Sequence, residues 1–432
     1  MDPIEELLAF IKESPSPFHV VASGARRLQA AGFQELDMGT VWAVRPGGRY
    51  FVPVYGSTLL AFCIGSQPGP LRMAAAHTDF PCWRVKPAAG MVQDGYGQLN
   101  VESYGGLILS SWLDRPLSLA GRVVLRGPDA FSPVVRLLDT ARPLVTIPGL
   151  AIHMNRKVNE GVALNRQKDM LPLAALLGKD AKADANVFFA EWLARELAVQ
   201  PEDILSYELT LYPAESGCRL GLDGRLVSSS RLDNLTSVKA CLDGILSVPS
   251  AGLQGIRLAA FFDNEEVGSA TKQGAGSAVL MQVLERIFSG LGRSRSELLA
   301  SIGRGFLLSV DVAHGLHPNA PEKNDPTNRP VLGGGVVLKQ AASQSYASDA
   351  EAVAVVSELC RQHQIPWQCF VNRSDQRGGS TLGSIVSALV PVRTMDIGVP
   401  LLAMHSACET MGADDQQALT ALIQVFLAAV QD

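Results

Sequence analysis

Beyond Arg231 the sequence alternates between helix-like segments and short apolar runs. The segments NLTSVKACLDGIL and VLMQVLERIF are followed by IRLAAFF and FLLSVD, which are typical of buried strands. The alternation continues through DAEAVAVVSELCRQH to a last helix-like segment, QQALTALIQVFLAAV. Because parallel strands need crossover connections, this pattern predicts a mostly parallel sheet with helices on both faces.

The stretch from about residue 88 to 225 differs in its composition and in the length of its apolar runs. Glycine and proline recur there, and short β-branched runs such as GRVVLRG, SPVVRLL and YELTLYP dominate. We therefore predict an α/β fold in which residues 1–87 and 226–432 form one three-layer domain. Residues 88–225 are predicted to form a β-rich domain that is inserted into it.

Composition excludes several classes of protein. The net charge of −5 argues against a nucleic-acid-binding protein, which would normally carry a basic patch. We find no apolar run of 18 residues, and the acidic start MDPIEELLAFIKES lacks the features of a signal peptide. The seven cysteines are scattered without a CxxC motif, which favours reduced thiols and a cytoplasmic protein.

Four apolar runs that read as core strands lead into residues of the kinds that bind metals. The runs and their terminal residues are LRMAAAH at His77, GFLLSVD at Asp311, VPLLAMH at His405, and IRLAAFFDNEE at Asp263, Glu265 and Glu266. In open α/β sheets the ligand crevice lies at the carboxyl ends of the strands. The sequence therefore predicts that these side chains gather at one edge of one sheet.

A further carboxylate, Asp233, precedes an apolar helix and is expected in the loop at its start. Any one of these acidic residues can be read as a solvated loop residue. Several acidic residues after fully apolar runs are costly to bury, however, unless they are paired or bind a metal. A set of imidazole and carboxylate ligands without thiolate suits zinc, with cobalt and manganese as alternatives.

Two short motifs suggest how such a site would work. In the HTD triplet, residues i and i+2 of an extended segment point the same way, so Asp79 is expected to orient His77. In the pair Glu265-Glu266, adjacent residues face opposite sides, so that one can ligate metal while the other acts as a general base. A water that bridges two metals needs such a base. The residues alone leave open which glutamate has which role.

At this point the sequence resembles a known family. The segments AAAHTD, RLDN, DNEEVGS, SVDVAHGLHPN, PEKNDP and AMHS occur in the order found in aspartyl aminopeptidases, with VESYGG, WLDRPLSLAGRV, LAIHMNRKVNEG and GGSTLG between them. The resemblance runs from about residue 10 to 430. It implies a phosphorylase/hydrolase-like catalytic domain, an inserted dimerisation domain and two metal ions in each subunit, with zinc as the expected metal.

The resemblance also implies a role for each matching residue. One metal would be held by His77, Asp233 and Asp311, and the other by Asp233, Glu266 and His405, with Asp233 bridging. Glu265 would be the base, and Asp79 would orient His77.

Other positions are implied less directly. Lys339, Tyr346 and His317 are expected at the substrate pocket, while the role of His314 stays open between metal ligand and pocket residue. The resemblance also implies a tetrahedral dodecamer, in which His153, from the inserted domain, is expected to reach the active site of a neighbouring subunit.

The site residues and the resemblance together predict a metalloaminopeptidase that removes N-terminal residues from peptides, and the resemblance implies a preference for Asp or Glu. Alternatives within enzymes are a dizinc aminopeptidase of neutral or broad specificity and a dizinc carboxypeptidase or deacylase, which can share this ligand layout. A non-catalytic scaffold protein is disfavoured, because every expected ligand and the base are present. Peptide substrates and further copies of the chain are the expected partners, with no nucleic acid or membrane partner.

Overall fold

The structure, a computed structural model, describes residues 2–178, 187–249, 252–376 and 378–429. The chain divides into two units. The first comprises Met1–Asp79, Gly217–Met404 and Glu409–Asp432, and the second comprises Phe80–Ser216 with the short segment His405–Cys408. The sequence-based boundaries after residues 87 and 225 lie a few residues further along the chain.

The described residues form the following helices: α1 (Pro3–Lys12), α2 (Pro17–Ala30), α3 (Val187–Leu197), α4 (Leu232–Ser247), α5 (Val279–Gly290), α6 (Arg295–Gly303), α7 (Ala350–Gln362), α8 (Leu382–Leu389) and α9 (Ala413–Ala428). The strands are β1 (Gln34–Glu35), β2 (Arg49–Val54), β3 (Thr58–Ile64), β4 (Gln67–His77), β5 (Cys82–Gln93), β6 (Tyr96–Tyr104), β7 (Pro116–Leu125), β8 (Val134–Asp139), β9 (Val145–Thr146), β10 (Leu173–Leu176), β11 (Ile204–Pro213), β12 (Cys218–Leu220), β13 (Leu226–Ser229), β14 (Gln254–Phe262), β15 (Phe306–Val310), β16 (Ala313–His314), β17 (Val336–Gln340), β18 (Trp367–Val371), β19 (Arg393–Gly398), β20 (Pro400–Leu402) and β21 (Glu409–Gly412).

Local sequence signals explain where several helices begin. Helix α1 has Pro3 in its first turn, and the Asp2 side chain accepts the Ile4 N–H at 2.8 Å. Helix α6 begins with a capping box in which Ser294 and Glu297 each accept the backbone N–H of the other.

The first unit is built on a nine-stranded sheet in the order β1-β2-β3-β14-β4-β15-β19-β17-β18. Its middle strands β14, β4, β15 and β19 are mutually parallel, while β2, β3 and β17 supply antiparallel pairings. The predicted parallel α/β core is therefore confirmed, and the parallel strands all point their carboxyl ends to the same edge.

Helices cover both faces of this sheet, which makes three layers. Along β4, Ala74 and Ala76 pack into a core shared with α1, α2, α4, α7 and α9. Met73 and Ala75 face the opposite way, into a core shared with α5, α6 and α8. Because neighbouring strand residues serve different cores, β4 reads as a continuous apolar run rather than an alternating one.

A smaller five-stranded sheet, in the order β12-β13-β21-β20-β16, also belongs to the first unit. This small sheet shows that one predicted strand assignment was wrong. The run VPLLAMH was expected to be a strand of the main sheet, yet Pro400–Leu402 pairs within the small sheet, and the main sheet uses Arg393–Gly398 instead. Two apolar runs follow each other here, and hydrophobicity alone does not show which one enters the main sheet.

The second unit is a seven-stranded antiparallel sheet in the order β11-β5-β6-β10-β9-β7-β8. Strand β11 also pairs with β7, which closes the sheet on itself. The enclosed core contains Trp83, Leu119 and Leu209, each fully buried, and α3 packs against it. The predicted β-rich insertion is thus present, with β8 left as an edge strand.

Two expectations from composition can be compared with the structure. Within the described ranges, no helix combines the length and the hydropathy needed to cross a bilayer. The seven cysteines all lie in the described ranges, and none of them is in a disulfide there.

Candidate metal centre

The parallel strands of the first unit bring predicted ligands to one edge of the main sheet. His77 is the last residue of β4, and Asp311 follows the end of β15 directly. On the other side of β4, Phe262 pairs with His77, so the turn that carries Glu265 and Glu266 leaves the sheet beside the imidazole. Asp233 lies in the first turn of α4, where its backbone dihedral angles are not helical.

The His77 ring lies between two carboxylates. Its Nε2 atom is 3.5 Å from Oδ1 of Asp233 and 3.5 Å from Oδ1 of Asp311, and all three residues are buried. Burial by itself would lower the pKa of His77, but the facing carboxylates of Asp233, Asp311 and Asp79 hold it well above its ordinary value. The three residues can each offer one ligand atom within 4.8 Å of the others.

Asp79 uses its main chain and its side chain for different tasks. The His77 Nδ1 atom lies 2.9 Å from the backbone oxygen of Asp79 and 3.4 Å from its carboxylate. Because a carbonyl can only accept, Nδ1 carries a proton, which leaves Nε2 as the nitrogen that would bind a metal after losing its own proton. The Asp79 carboxylate instead accepts the backbone N–H groups of Glu265 and Glu266, each at 3.1 Å. The predicted contact between the Asp79 carboxylate and His77 is therefore longer than the contact between the Asp79 carbonyl and His77.

Glu265 and Glu266 occupy a short 3₁₀ turn, Glu265–Val267, and both are half-buried. With His77 they form a second group whose ligand atoms lie within 4.8 Å of one another. Burial raises the pKa of Glu265 to about 8. The charge of His77 lowers this pKa, whereas the nearby carboxylates of Asp311, Asp79 and Asp233 raise it further. A divalent cation would act in the opposite sense on every carboxylate of this group.

The donor set of the first unit fits a zinc ion. Imidazole nitrogen and carboxylate oxygen are ligands that zinc accepts, and thiolate is not required. Like-charged carboxylates held this close in a buried place repel one another, and a cation among them removes that cost. The positions of His77, Asp233 and Asp311 are therefore those expected of a metal site.

Glu409 was missed by sequence reasoning. Its side chain is 2% exposed, and its Oε2 accepts the backbone N–H of Asp233 at 3.0 Å. It lies in β21, and the signal that could have revealed it is an acidic residue at the start of a short buried strand. Nothing in the sequence, however, shows that this strand meets the start of α4.

Lys339 and Tyr346, both predicted for the substrate pocket, are buried side by side. The Lys339 Nζ donates to the Val312 carbonyl at 3.0 Å and lies 4.0 Å from Oδ2 of Asp311. It also lies 5.1 Å from the centre of the Tyr346 ring. Lys339 is only 1% exposed, so its charge acts next to a predicted metal ligand.

His314 and His317 line a separate cavity of about 350 Å³. The His314 ring packs edge-on against Phe370, with the ring centres 6.0 Å apart. Lys323 and Arg373 also line this cavity, whereas its described lining contains no acidic residue.

The remaining two predicted residues, His405 and His153, belong to the second unit. The His405 Nδ1 lies 3.0 Å from the Gly106 carbonyl, so Nδ1 is the protonated nitrogen and Nε2 has the lone pair that a metal ligand needs. His153 is exposed, with the exposed apolar side chains of Ile152 and Met154 beside it in the sequence. The roles of both histidines stay predictions.

Comparison with known proteins agrees with this ligand chemistry. The family model described as "Aminopeptidase I zinc metalloprotease (M18)" matches residues 10–427. The chain belongs to this family. Membership makes it a zinc metalloaminopeptidase, a hydrolase of peptide bonds.

Individual relatives cover nearly the whole chain. A probable M18 family aminopeptidase 2 of Clostridium novyi (strain NT) is 44% identical over 414 residues, which span 95% of each protein. The Ape4 structure, determined in complex with Nbr1, is 33% identical with a TM-score of 0.94, over 99% of this chain and 85% of that one. The mApe1 dodecamer of S. cerevisiae, 24% identical over 98% and 95% of the two chains with a TM-score of 0.85, shares the fold.

Proposed function

We propose that this M18 protein is a two-metal aminopeptidase. One zinc ion would be held by His77, Asp233 and Asp311, and a second by Asp233, Glu266 and His405. The observation that carries the proposal is the convergence of the His77 Nε2 with the carboxylates of Asp233 and Asp311, each 3.5 Å away. The second ligand set rests on the resemblance to aspartyl aminopeptidases.

When bound, the metal ions would polarise the peptide carbonyl and acidify the attacking water. Glu265 would accept the proton of that water on its carboxylate and then deliver it to the departing amide nitrogen. Asp79 fixes the backbone of this glutamate through the bond to its N–H. Glu266, whose N–H meets the other oxygen of Asp79, would be held in the orientation of a ligand.

We further propose a preference for acidic N-terminal residues, with Lys339 as the cation that recognises them. The cavity lined by His314, His317, Lys323 and Arg373 supports this preference, because its described lining carries basic groups without acidic ones. The buried place of Lys339, close to Asp311, favours the alternative of a neutral or broad specificity. A panel of Asp, Glu and Leu p-nitroanilides separates the two.

An oligomer is the proposed active form, with the second unit making subunit contacts and His153 reaching a neighbouring active site. This unit exposes apolar side chains around His153: Leu150 is 65% exposed and Met154 is 76% exposed. Its edge strand β8 exposes Val135 as well. A tetrahedral dodecamer is the arrangement that the family resemblance implies.

We propose a cytoplasmic location, where its seven thiols would stay reduced.

Turnover is the direct test of the proposed activity. The protein loaded with zinc should release residues from peptides with a free amino terminus, and it should leave the same peptides intact when they are N-acetylated. Release from the carboxyl terminus, or hydrolysis of the N-acetyl group, would instead support a carboxypeptidase or deacylase.

A further inference from the structure

Asp396 is a fully buried carboxylate for which the proposed mechanism has no role. It lies in the middle of β19, beside Ser309 of the parallel neighbour β15, and its relative exposure is 0%. Burial raises its pKa, while the nearby Lys339 acts in the opposite direction. A carboxylate in such a place needs partners that offset its loss of water.

The partners of Asp396 come from two loops that are distant in sequence. Loop A (residues 341–349) joins β17 to α7, and loop B (residues 372–381, described except for 377) joins β18 to α8. Oδ2 of Asp396 accepts the Ala347 N–H of loop A at 2.6 Å, and Oδ1 accepts the Thr381 hydroxyl of loop B at 2.5 Å. One side chain thus fastens both loops to the main sheet.

Further contacts tighten the same junction. The Asp396 N–H donates to the Ser348 Oγ at 2.9 Å, and the Thr381 N–H donates to the Ser345 carbonyl at 3.3 Å. Gly383 follows loop B at the start of α8, and a β-carbon there would lie 2.7 Å from Oδ2 of Asp396. Glycine is therefore required for α8 to approach this carboxylate so closely.

The two loops line a cavity of about 1090 Å³, whose polar lining consists mainly of serine and glutamine side chains. Loop A also carries Tyr346, whose ring covers the Lys339 ammonium at 5.1 Å. Lys339 in turn lies 4.0 Å from the proposed ligand Asp311. A shift of loop A would therefore change both the wall of the cavity and the cover over Lys339.

We propose that Asp396 is a positioning residue that sets the shape of the substrate side of the site by fastening loops A and B to β19. This role rests on the proposed function, because it takes the cavity lined by loops A and B as the substrate side of a peptidase site. Asp396 contacts neither the proposed metal ligands nor a reacting atom; it acts through the backbone of Ala347 and the hydroxyl of Thr381.

The test compares Asp396→Ala with Asp396→Asn. Alanine removes both acceptors. Asparagine keeps an oxygen for the Ala347 N–H, and its amide can donate to the Thr381 hydroxyl, because a hydroxyl also accepts. Asparagine should therefore rescue the positions of the loops, although it removes the charge.

Asp415 offers a matched control. It is equally buried, belongs to the same unit, and accepts the N–H groups of Gly333 and Gly335 at 2.7 and 2.8 Å. Asp415→Ala should loosen the segment around these glycines without affecting loops A and B.

Hydrogen exchange measured by mass spectrometry reports directly on the stability of the two loops and does not depend on turnover. Asp396→Ala should speed exchange in peptides covering 341–349 and 378–383 by about tenfold or more, whereas Asp396→Asn and Asp415→Ala should leave them near the unmodified rate. Unchanged exchange in Asp396→Ala would overturn the proposal.

Steady-state kinetics then test whether the positions of the two loops affect substrate binding. With zinc content unchanged, Asp396→Ala should raise KM by about tenfold and change kcat by less than about threefold, while Asp396→Asn restores KM. An equal effect of Asp415→Ala on KM, or a failure of asparagine to rescue, would overturn the role. If the unmodified protein cleaves no peptide, the proposed function fails, but the exchange result still decides whether Asp396 fastens the loops.

Thr381→Val provides a milder variant if Asp396→Ala does not fold. Valine keeps the shape of threonine and removes the hydroxyl that donates to Asp396. Exchange should then accelerate in residues 378–383, with a smaller rise in KM, and no change at loop B would contradict the proposal.

Discussion

Asp79 illustrates at the residue scale how one amino acid can couple two parts of a site. Its carbonyl oxygen fixes the His77 ring, and its carboxylate fixes the amides of Glu265 and Glu266. The proposed metal ligand and the proposed base are thus oriented by a common residue. A small displacement of Asp79 would disturb both together.

The two glutamates should respond differently to loss of charge. Glu265→Gln should lower kcat by about 10²- to 10⁴-fold with zinc content preserved, because only the proton acceptor is lost. Glu266→Gln should lower zinc occupancy instead. Turnover and elemental analysis of the purified variants check this, and the reverse pattern would mean that the two roles are exchanged.

Lys339 should determine how strongly acidic substrates are preferred. Lys339→Ala is expected to lower kcat/KM for Asp substrates by about 10- to 100-fold relative to Leu substrates, the range for hydrogen bonds to charged groups. Lys12→Ala, an exposed lysine in α1, is the matched comparison and should leave that ratio unchanged. Faster cleavage of Leu than of Asp by the unmodified protein would reject the acidic preference itself.

Residue patterns predicted much of the site and left out its supports. His77 and Asp311 were identifiable because each ends a largely apolar run, and strand direction then brings them together. Glu409 and Asp396 are equally buried, but their partners are backbone groups far away in sequence. Such contacts depend on tertiary packing, which hydrophobic periodicity does not encode.

At the scale of elements, the central strands β4, β14 and β15 matched their sequence signals, because each is a largely apolar run buried between the two layers of helices. The run before His405 did not, since it follows the short loop after β19 and pairs in the smaller sheet. Two adjacent strands in different sheets produce the same apolar pattern as one long strand. Only the pairing partners distinguish the two arrangements.

Arg257 links two elements of the first unit and should dominate their stability. It is fully buried in β14, and it donates to the Pro70 carbonyl at 3.1 Å and to Leu427 and Ala429 at the end of α9, both at 2.5 Å. Arg257→Ala leaves these carbonyls without their donor. The free energy of unfolding should fall by about 3 kcal/mol or more.

Urea unfolding of the metal-free protein measures this effect. Arg295→Ala serves as the control, because its side chain is 72% exposed and its ion pair with Glu285 lies at the surface. That substitution should change the free energy of unfolding by less than about 1 kcal/mol. Equal effects of the two substitutions would contradict the proposed contribution of Arg257 to stability.

At the scale of the whole molecule, the proposed oligomer makes activity depend on assembly. Light scattering coupled to size exclusion should give a mass many times that of the 46.0 kDa chain. His153→Phe should impair turnover with zinc retained. Mixing it with Glu265→Gln subunits should restore part of the activity, because some sites would then combine an intact His153 with an intact Glu265.

A fully active monomer would end the proposal that assembly completes the site. Lack of recovery in the mixed oligomer would remove only the role of His153 across subunits. A Lys157→Ala variant in the same exposed segment is the control for general damage to this region, and it should keep its turnover.

The dependence of turnover on zinc tests the two-metal aminopeptidase most directly. Protein stripped by a chelator should have no measurable aminopeptidase activity, and titration with zinc should restore it as binding approaches two ions per subunit. Glu266→Gln, measured in parallel, should bind less zinc at saturation. Full turnover by exhaustively demetallated protein, with no zinc bound, would contradict the account.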